Sequence, residues 1–176
     1  EAQPRSGERT GDSDLWAQRI NANGSARWNR GSPVFVATSN WSEKNPVLAP
    51  DGEGGLVVVF EQHAPRGDFA GDIDLGAQRI DADGNLLWGE GQRAVNVVNS
   101  EWKEHGPRVM ADASGGIVVV FEAEARSGRF AGDAEVLALR LDLEGNLTWN
   151  HPTGPVRIAA STLREGNPVV ISHQVP

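Results

Sequence analysis

Acidic residues recur at fixed intervals along this sequence, and their spacing could support metal binding. They come in pairs two residues apart, and residues two apart on a β-strand point to the same face. Carboxylate oxygens grouped on one face are ligands that Ca²⁺ accepts. The pairs therefore predict a calcium site, with ordinary solvated strand ends as the alternative. The pairs are Asp12 and Asp14, Asp72 and Asp74, and Asp133 and Glu135.

An arginine also recurs, each time inside an apolar stretch. A guanidinium held among apolar neighbours needs a carboxylate partner, because an unpaired charge is costly to bury. We therefore predict a structural ion pair at each of these positions. The expected pairs are Arg79 with Glu61, Arg140 with Glu122 and Arg19 with Glu1. Arginines lining a sialidase-type sugar site are the alternative, but that chemistry uses a tyrosine nucleophile, and the chain has no tyrosine.

Two sets of tryptophans recur in the same way. Trp28, Trp88 and Trp149 each follow a turn sequence, and periodic aromatic residues in repeat proteins usually pack between the units. Trp41 and Trp102 lie in a polar connecting segment, where an indole ring can stack on the face of a sugar. Trp41 and Trp102 are therefore candidate carbohydrate-binding residues, with packing between repeats as the alternative.

Other kinds of chemistry find little support in the sequence. The chain has no cysteine, which excludes a thiol nucleophile and a zinc–thiolate site. Its four histidines show no metal-ligand spacing. No nucleophile elbow, phosphate loop or dinucleotide fingerprint is present. We therefore expect a non-catalytic protein that needs no cofactor, calcium excepted.

Charge and hydropathy narrow the range of partners. The net charge of −8 argues against nucleic acid, whose phosphates bind clustered Lys and Arg. No apolar stretch approaches the roughly 20 residues that cross a bilayer, so we expect no membrane insertion. Sequons of the N-x-S/T type begin at Asn23, Asn40 and Asn146, which are candidate glycosylation sites.

All of these residues recur because the chain repeats itself. GDSDLWAQRINANGSARW aligns without gaps with GDIDLGAQRIDADGNLLW and GDAEVLALRLDLEGNLTW, at offsets of 60 and 61 residues. NWSEKNPVLAPDGEGGLVVVFE aligns in the same register with EWKEHGPRVMADASGGIVVVFE. We predict one repeat domain over residues 1–176, with units of about 60 residues at 1–61, 62–122 and 123–176, the last of them incomplete.

Each unit is expected to form four β-strands. In the best-defined example the first three cover Pro46–Ala49, Leu56–Phe60 and Ile73–Ile80, and the fourth opens at Leu86–Trp88 and continues loosely through Ala94–Val98. Leu56–Phe60 is a continuous β-branched and aromatic run, typical of a strand that is covered on both faces. Glycine-rich, Asp-Gly and Asn-Gly segments between the strands predict tight turns. No segment has a sustained helical period, so the predicted fold class is all-β.

The pattern GGxVVVFE followed by GDxDLxAQRIxAxGxxxW resembles repeats of large bacterial secreted proteins, whose consensus GGxVVVW-E/D and DIYAQRIDxxGxxxW is taken as propeller-like. The resemblance implies four-stranded, β-propeller-like blades and a secreted or cell-surface location. A propeller closes with about 4–8 blades, so about three units predict either a longer repeat protein or self-association. A β-trefoil is the alternative for a threefold, four-stranded repeat.

The function expected from these features is structural. We predict a non-catalytic extracellular scaffold or adhesion module, as part of a surface assembly or filament, whose partners are further repeats or other copies of the chain. The alternatives are a carbohydrate-binding module that uses Trp41 and Trp102 to bind glycans, and the non-catalytic part of a larger propeller enzyme. Glycan binding that is lost when both tryptophans are replaced would separate the first alternative from a scaffold.

Overall fold

A computed structural model of the chain describes residues 13–64, 70–91, 94–98, 100–127, 131–149, 154–161 and 163–171. Ten β-strands lie in these ranges, together with the 3-10 segments Trp28–Gly31 and Gly89–Gly91. The strands are β1 (Leu15–Ala17), β2 (Val34–Ala37), β3 (Ser42–Pro50), β4 (Leu56–His63), β5 (Ile73–Ile80), β6 (Val95–Val98), β7 (Trp102–Ala111), β8 (Ile117–Ala125), β9 (Ala134–Leu141) and β10 (Val156–Ala159). The predicted all-β class is confirmed. In these same ranges no helix has the length and apolarity needed to cross a membrane.

The strands form three antiparallel sheets that follow one another along the chain. β1 and β2 form a two-stranded N-terminal sheet, β3 to β6 form a four-stranded central sheet, and β7 to β10 form a four-stranded C-terminal sheet. In both larger sheets each strand pairs with the next strand in the sequence. Each of them is therefore a meander, and the described strands form no closed barrel.

Residues Leu86–Trp88 do not form the strand predicted for them. They close the hairpin after β5 through one isolated bridge, between Ile80 and Leu86. The backbone N–H of Trp88 then donates to Oε1 of Gln78 at 2.9 Å, so a side chain replaces the strand carbonyl that a ladder would supply. The fourth strand of the central sheet is β6, which begins after the second 3-10 segment and lies within the predicted continuation at Ala94–Val98.

The sheets pack face to face through side chains that alternate along their strands. In β4, Val57 and Val59 belong to the apolar cluster shared with the C-terminal sheet, whereas Val58 and Phe60 belong to the cluster shared with the N-terminal sheet. All four side chains are buried, and each contributes roughly 1.5–3 kcal/mol relative to an exposed position. The prediction that Leu56–Phe60 is covered on both faces is therefore confirmed.

β3 and β7 each contain a bend at the same place in the repeat. The pairing register shifts between Lys44 and Val47 in β3, and a matching shift occurs in β7. The bend residues Asn45 and Gly106 have φ of 50° and 62°, a left-handed region that Asn and Gly enter more readily than other residues. Because the bend interrupts the ladder, the backbone N–H of the bend residue needs another partner.

Candidate functional site

The buried arginine of the central sheet pairs with carboxylates in the turn before β4. Nε of Arg79 lies 2.9 Å from Oδ2 of Asp51, and Nη2 lies 2.6 Å from Oε2 of Glu53. The predicted Arg79–Glu61 pair is wrong. The strand register places Arg79 opposite Val57 and puts Glu61 four residues further along β4, so the guanidinium pairs with the carboxylates of the turn instead of Glu61.

The same arrangement recurs in the C-terminal sheet. Nε of Arg140 contacts Oδ2 of Asp112. The predicted Arg140–Glu122 pair is wrong for the same reason, because the register displaces Glu122 along β8. Arg19 contacts backbone carbonyls of the central sheet through Nη1, and its predicted partner Glu1 lies outside the described residues.

Each turn aspartate shapes its own turn as well as holding the arginine. Oδ1 of Asp51 accepts hydrogen bonds from the backbone N–H groups of Glu53 (2.9 Å) and Gly55 (2.8 Å). Burial alone would raise the pKa of Asp51, but these hydrogen bonds and the Arg79 guanidinium outweigh it and lower the pKa. A Cβ at Gly55 would lie 2.2 Å from the carbonyl oxygen of Ile80. The repeated Gly-Gly therefore leaves room for the ion pair and its turn.

The recurring tryptophans and arginines connect each repeat to the next. Nε1 of Trp28 donates to the carbonyl of Ala82 at 3.1 Å, and Nε1 of Trp88 donates to the carbonyl of Leu143 at 2.9 Å. Ala82 and Leu143 stand 61 residues apart, at the same position of successive hairpin turns. Nη1 of Arg79 donates to the Leu143 carbonyl as well, at 3.1 Å. Trp28 and Trp88 are buried, so they pack between repeats as predicted.

The glutamates that end the apolar runs of β4 and β8 also bridge neighbouring repeats. Oε1 of Glu61 accepts a hydrogen bond from the N–H of Gly106 at 2.9 Å, and Oε1 of Glu122 accepts one from the N–H of Asn167 at 2.8 Å. Asn167, with φ of 55°, is the third bend residue of the series. Oε2 of Glu61 accepts from Nδ2 of Asn45 at 2.8 Å. These glutamates satisfy the N–H groups that the bends turn out of the ladder.

A pair of carboxyl groups is buried between the central and C-terminal sheets. Asp74 of β5 and Glu104 of β7 are both buried and lie within hydrogen-bonding reach of each other. Oε1 of Glu104 accepts a hydrogen bond from the Ser100 hydroxyl. Oδ1 of Asp74 and Oε2 of Glu104 have no other hydrogen-bond partner among the described residues. Two facing acceptor oxygens need a proton between them.

Burial raises the pKa of both carboxyl groups. It raises the pKa of Glu104 to about 8, opposed by the Ser100 hydrogen bond and reinforced by the negative charges of Asp74 and Asp72. It raises the pKa of Asp74 to about 6, reinforced by the charge of Asp72 and opposed by the Glu104 hydrogen bond and the charge of Arg126. At neutral pH the two groups therefore share a proton and act as one titrating unit.

The sequence expectations above do not include Glu104, although a signal for it is present. A Ser-x-Trp/Leu-x-Glu motif recurs at intervals of 61 residues. In each copy the serine hydroxyl donates to the glutamate, with a distance of 2.5 Å in the first. The pairs are Ser39 with Glu43, Ser100 with Glu104, and Ser161 with Glu165. In the first two copies the repeated glutamate is a buried acid held by a neighbouring hydroxyl, and in the third, Glu165 is half-buried.

The acidic residues predicted to bind calcium are divided among different partners. Oδ2 of Asp72 lies 3.1 Å from Nη1 of Arg126, and Oε2 of Glu135 lies 2.8 Å from Nε of Arg157. Of the remaining predicted ligands, Asp74 faces Glu104. Asp14 and Asp133 are half-buried, and Asp12 lies outside the described residues. Within the described part of the chain, no group of three or more His, Asp or Glu side chains is arranged to hold a metal. The calcium site stays a prediction.

The candidate sugar-binding tryptophans, Trp41 and Trp102, are both half-buried. The backbone N–H of Trp41 donates to Oγ of Ser39 at 2.9 Å, and that of Trp102 donates to Oγ of Ser100 at 3.0 Å. The Trp102 ring also packs against the apolar cluster between the central and C-terminal sheets. Each ring therefore keeps only part of its surface accessible to a ligand.

The sequon asparagines Asn23, Asn40 and Asn146 are all exposed. Nδ2 of Asn146 donates to Oδ2 of Asp142 at 3.0 Å, a hydrogen bond within the hairpin turn that a glycan on that nitrogen would disturb. Glycosylation stays a prediction at all three positions.

These features define a class of protein: an all-β chain of stacked antiparallel sheets joined by polar bridges between repeats. The sequence matches no known protein family and no curated protein. Among solved structures, the fold is similar to a polysaccharide lyase of family PL25, an ulvan lyase, bound to -[GlcA(1-4)Rha3S]-, with a TM-score of 0.51 and 12% identity over 81% of this chain. A second structure of PL25 ulvan lyase gives a TM-score of 0.50 at 12% identity. The chain spans 42% of the length of each.

Proposed function

We propose that the chain is a non-catalytic scaffold or adhesion module of an extracellular protein. The observation that supports this is the use of its recurring polar residues. Arg79, Trp88 and Glu61 all form hydrogen bonds with backbone groups of the following repeat. Side chains of types that a catalytic site would employ thus hold neighbouring repeats together, which is the main requirement of a repeat scaffold.

Two features support propeller-like blades as the form of this scaffold. The central and C-terminal sheets are both four-stranded meanders, the unit from which propellers are built. They also pack face to face through an apolar cluster drawn from both sheets. Further repeats or other copies of the chain would continue the stack on a cell surface or in a filament.

Activity measurements test the non-catalytic part of the proposal. The purified chain is incubated with sulfated, acidic and neutral polysaccharides, and new reducing ends and unsaturated sugars are measured over time. We expect no release above that of a heat-denatured sample. Release that grows with the concentration of the chain would show an enzyme and contradict the proposal.

Carbohydrate binding is the second candidate function. It is favoured by the half-exposed indole rings of Trp41 and Trp102, because indole rings stack on sugar faces. The similarity in fold to a polysaccharide lyase that was solved with a bound oligosaccharide supports it further. The net charge of −8 disfavours polyanions, so the expected ligand is a neutral glycan.

A glycan array followed by affinity electrophoresis tests this second candidate. Trp41→Ala should abolish retardation in a gel that contains the bound glycan. Trp102→Phe, which keeps an aromatic ring against the core, should weaken it. The matched control is Trp16→Ala, since Trp16 is an exposed tryptophan (55%) that is not among the predicted sugar-binding residues and packs on Phe35. Equal retardation of the wild-type chain and the Trp41→Ala variant would rule out this use of Trp41.

A further inference from the structure

Among the residues that the structure describes, the outer part of the C-terminal sheet is more exposed than the same positions of the other sheets. Trp28 and Trp88 are buried under the hairpin turn of the following repeat, whereas the equivalent Trp149 is 39% exposed. Nη1 of Arg140 donates to Oγ1 of Thr148, in its own hairpin, at 3.0 Å. Its counterpart Arg79 reaches across to the next repeat instead.

The last strand of each sheet shows the same contrast. Val36 of β2 and Val97 of β6 are 2% and 5% exposed, and the equivalent residue of β10, Ile158, is 59% exposed. This position of the last strand therefore carries an apolar side chain in all three sheets, and of the three only Ile158 faces solvent. The counterparts Trp88 and Val97 belong to one buried apolar cluster, so the exposure of both Trp149 and Ile158 has the composition of an interface rather than of an ordinary surface.

The C-terminal sheet has one face that points away from the central sheet, and only the outer part of that face is exposed. Its inner part is formed by Val118, Val120, Val136 and Ala138, which are buried, and Val170 packs against them. These four residues lie on β8 and β9, so Val170 covers part of the two middle strands. The positions that stay exposed are Ile158 on β10 and Trp149 after the hairpin turn that follows β9.

A matching surface lies on the N-terminal sheet, where none of the described residues covers it. In the covered interfaces each tryptophan ring lies on the turn glycine of the next repeat. A Cβ built at Gly84 would meet the Trp28 ring at 2.7 Å, and one at Gly145 would meet the Trp88 ring at 3.1 Å. Gly24 occupies the same turn position with φ of 84°, and a Cβ there would have nothing within 4 Å.

The strand before that turn is exposed in the same way. Ile80 is fully buried in the cluster between the N-terminal and central sheets, whereas the equivalent Ile20 is 60% exposed. The N-terminal sheet consists of β1 and β2, which correspond to the third and fourth strands of the repeat. It therefore offers the hairpin turn that covers the tryptophan in the other two interfaces.

We propose that two copies of this chain associate head to tail. Trp149 of one copy lies on Gly24 of the other, its Nε1 donates to the carbonyl of Ala22, and Arg140 reaches the same turn. The inference rests on the scaffold proposal and gives the scaffold its partner, a second copy. The two surfaces differ, so the contact is heterologous, and its repetition adds copies in one direction.

Sedimentation velocity over a micromolar concentration series tests the association. The full chain should show a weight-average mass that rises with concentration. Trp149→Ala should weaken self-association about tenfold or more, because it removes a central aromatic residue from the interface. Gly24→Asn should do the same from the other side, since asparagine tolerates the left-handed φ but places a side chain where the ring would lie. The matched control, Gly115→Asn, has φ of 79° and equally open surroundings, and should associate as the wild type does.

Mixing the variants gives the sharpest result. Each of Trp149→Ala and Gly24→Asn keeps one intact surface, so an equimolar mixture should form dimers and nothing larger. A wild-type chain that stays monomeric throughout, or variants that associate as the wild type does, would overturn the proposal. Polysaccharide degradation by a chain that still associates would instead overturn the scaffold function alone, so the two failures are distinguishable.

Discussion

Replacing Glu104 by glutamine removes one of the two buried carboxyl groups that share a proton between the central and C-terminal sheets. The pKa of Glu104 is raised to about 8 and that of Asp74 to about 6. A raised carboxyl pKa means that the folded state holds its proton more tightly than the unfolded state does. The resulting stability is fully present below the ordinary glutamate value, is lost as the pH rises, and is gone once the pH exceeds 8.

The size of this effect follows from the shift. The pKa of Glu104 rises from an ordinary value of 4.5 to about 8, and each unit of that rise corresponds to 1.36 kcal/mol. The free energy of unfolding therefore changes by at most about 5 kcal/mol across this pH range. Glutamine keeps an acceptor for the Ser100 hydroxyl and supplies a permanent N–H toward Asp74. Its polar amide must also be removed from water on folding, which lowers the gain in stability. We therefore expect Glu104→Gln to be more stable than the wild type by about 2–4 kcal/mol at pH 9, and of similar stability at pH 5.

Urea unfolding between pH 5 and pH 9, followed by tryptophan fluorescence, measures this difference. The control is Glu101→Gln, an exposed carboxylate three residues away, which should leave the pH dependence of the wild type unchanged. Parallel pH profiles for the wild type and Glu104→Gln, or a variant that is less stable than the wild type at pH 9, would refute the shared proton.

Two further predictions concern the turn before β4. Gly55→Ala should destabilise the chain by at least about 2 kcal/mol in urea unfolding, because its Cβ would meet the Ile80 carbonyl at 2.2 Å; a normal midpoint would contradict the geometry. Asp51→Asn should cost about 3–5 kcal/mol, because it leaves the Arg79 guanidinium with a weaker partner in a buried site. The control Glu53→Gln, whose side chain is 65% exposed, should cost less than about 1 kcal/mol. Since folding lowers the pKa of Asp51, its contribution is present above the ordinary aspartate value and is lost as the pH falls through the folded value.

The repeat and the strands could be predicted from the sequence because their signals are local. The apolar run at residues 56–60 is long enough to be covered on both faces, and its side chains do alternate between two clusters. The end of the hairpin could not be predicted in the same way. Leu86–Trp88 has the composition of a strand, but the Gln78 side chain takes the place of the ladder there.

The partners of the charged residues were harder to predict because they depend on register. The sequence shows that Arg79 needs a carboxylate, and both Glu61 and Asp51 are close enough along the chain to serve. Only the pairing of β4 with β5 shows that Glu61 is displaced by four residues. The buried acid at Glu104 was predictable in principle, since its serine recurs with it, but a lone glutamate after a tryptophan has the appearance of a solvated strand end.

The bridges formed by Trp28, Trp88, Glu61 and Glu122 run in one direction. In each of these four a side chain of the earlier repeat bonds to a backbone group of the later one, and the residues that supply that backbone differ in type: Ala82 and Leu143 for the carbonyl, Gly106 and Asn167 for the N–H. A contact of this kind depends on the fold of the neighbour and not on its side chains. Duplicating or deleting a whole unit therefore leaves these four bridges intact without any compensating substitution, so they place no constraint on the neighbouring side chains when a gene for such a protein changes its number of units.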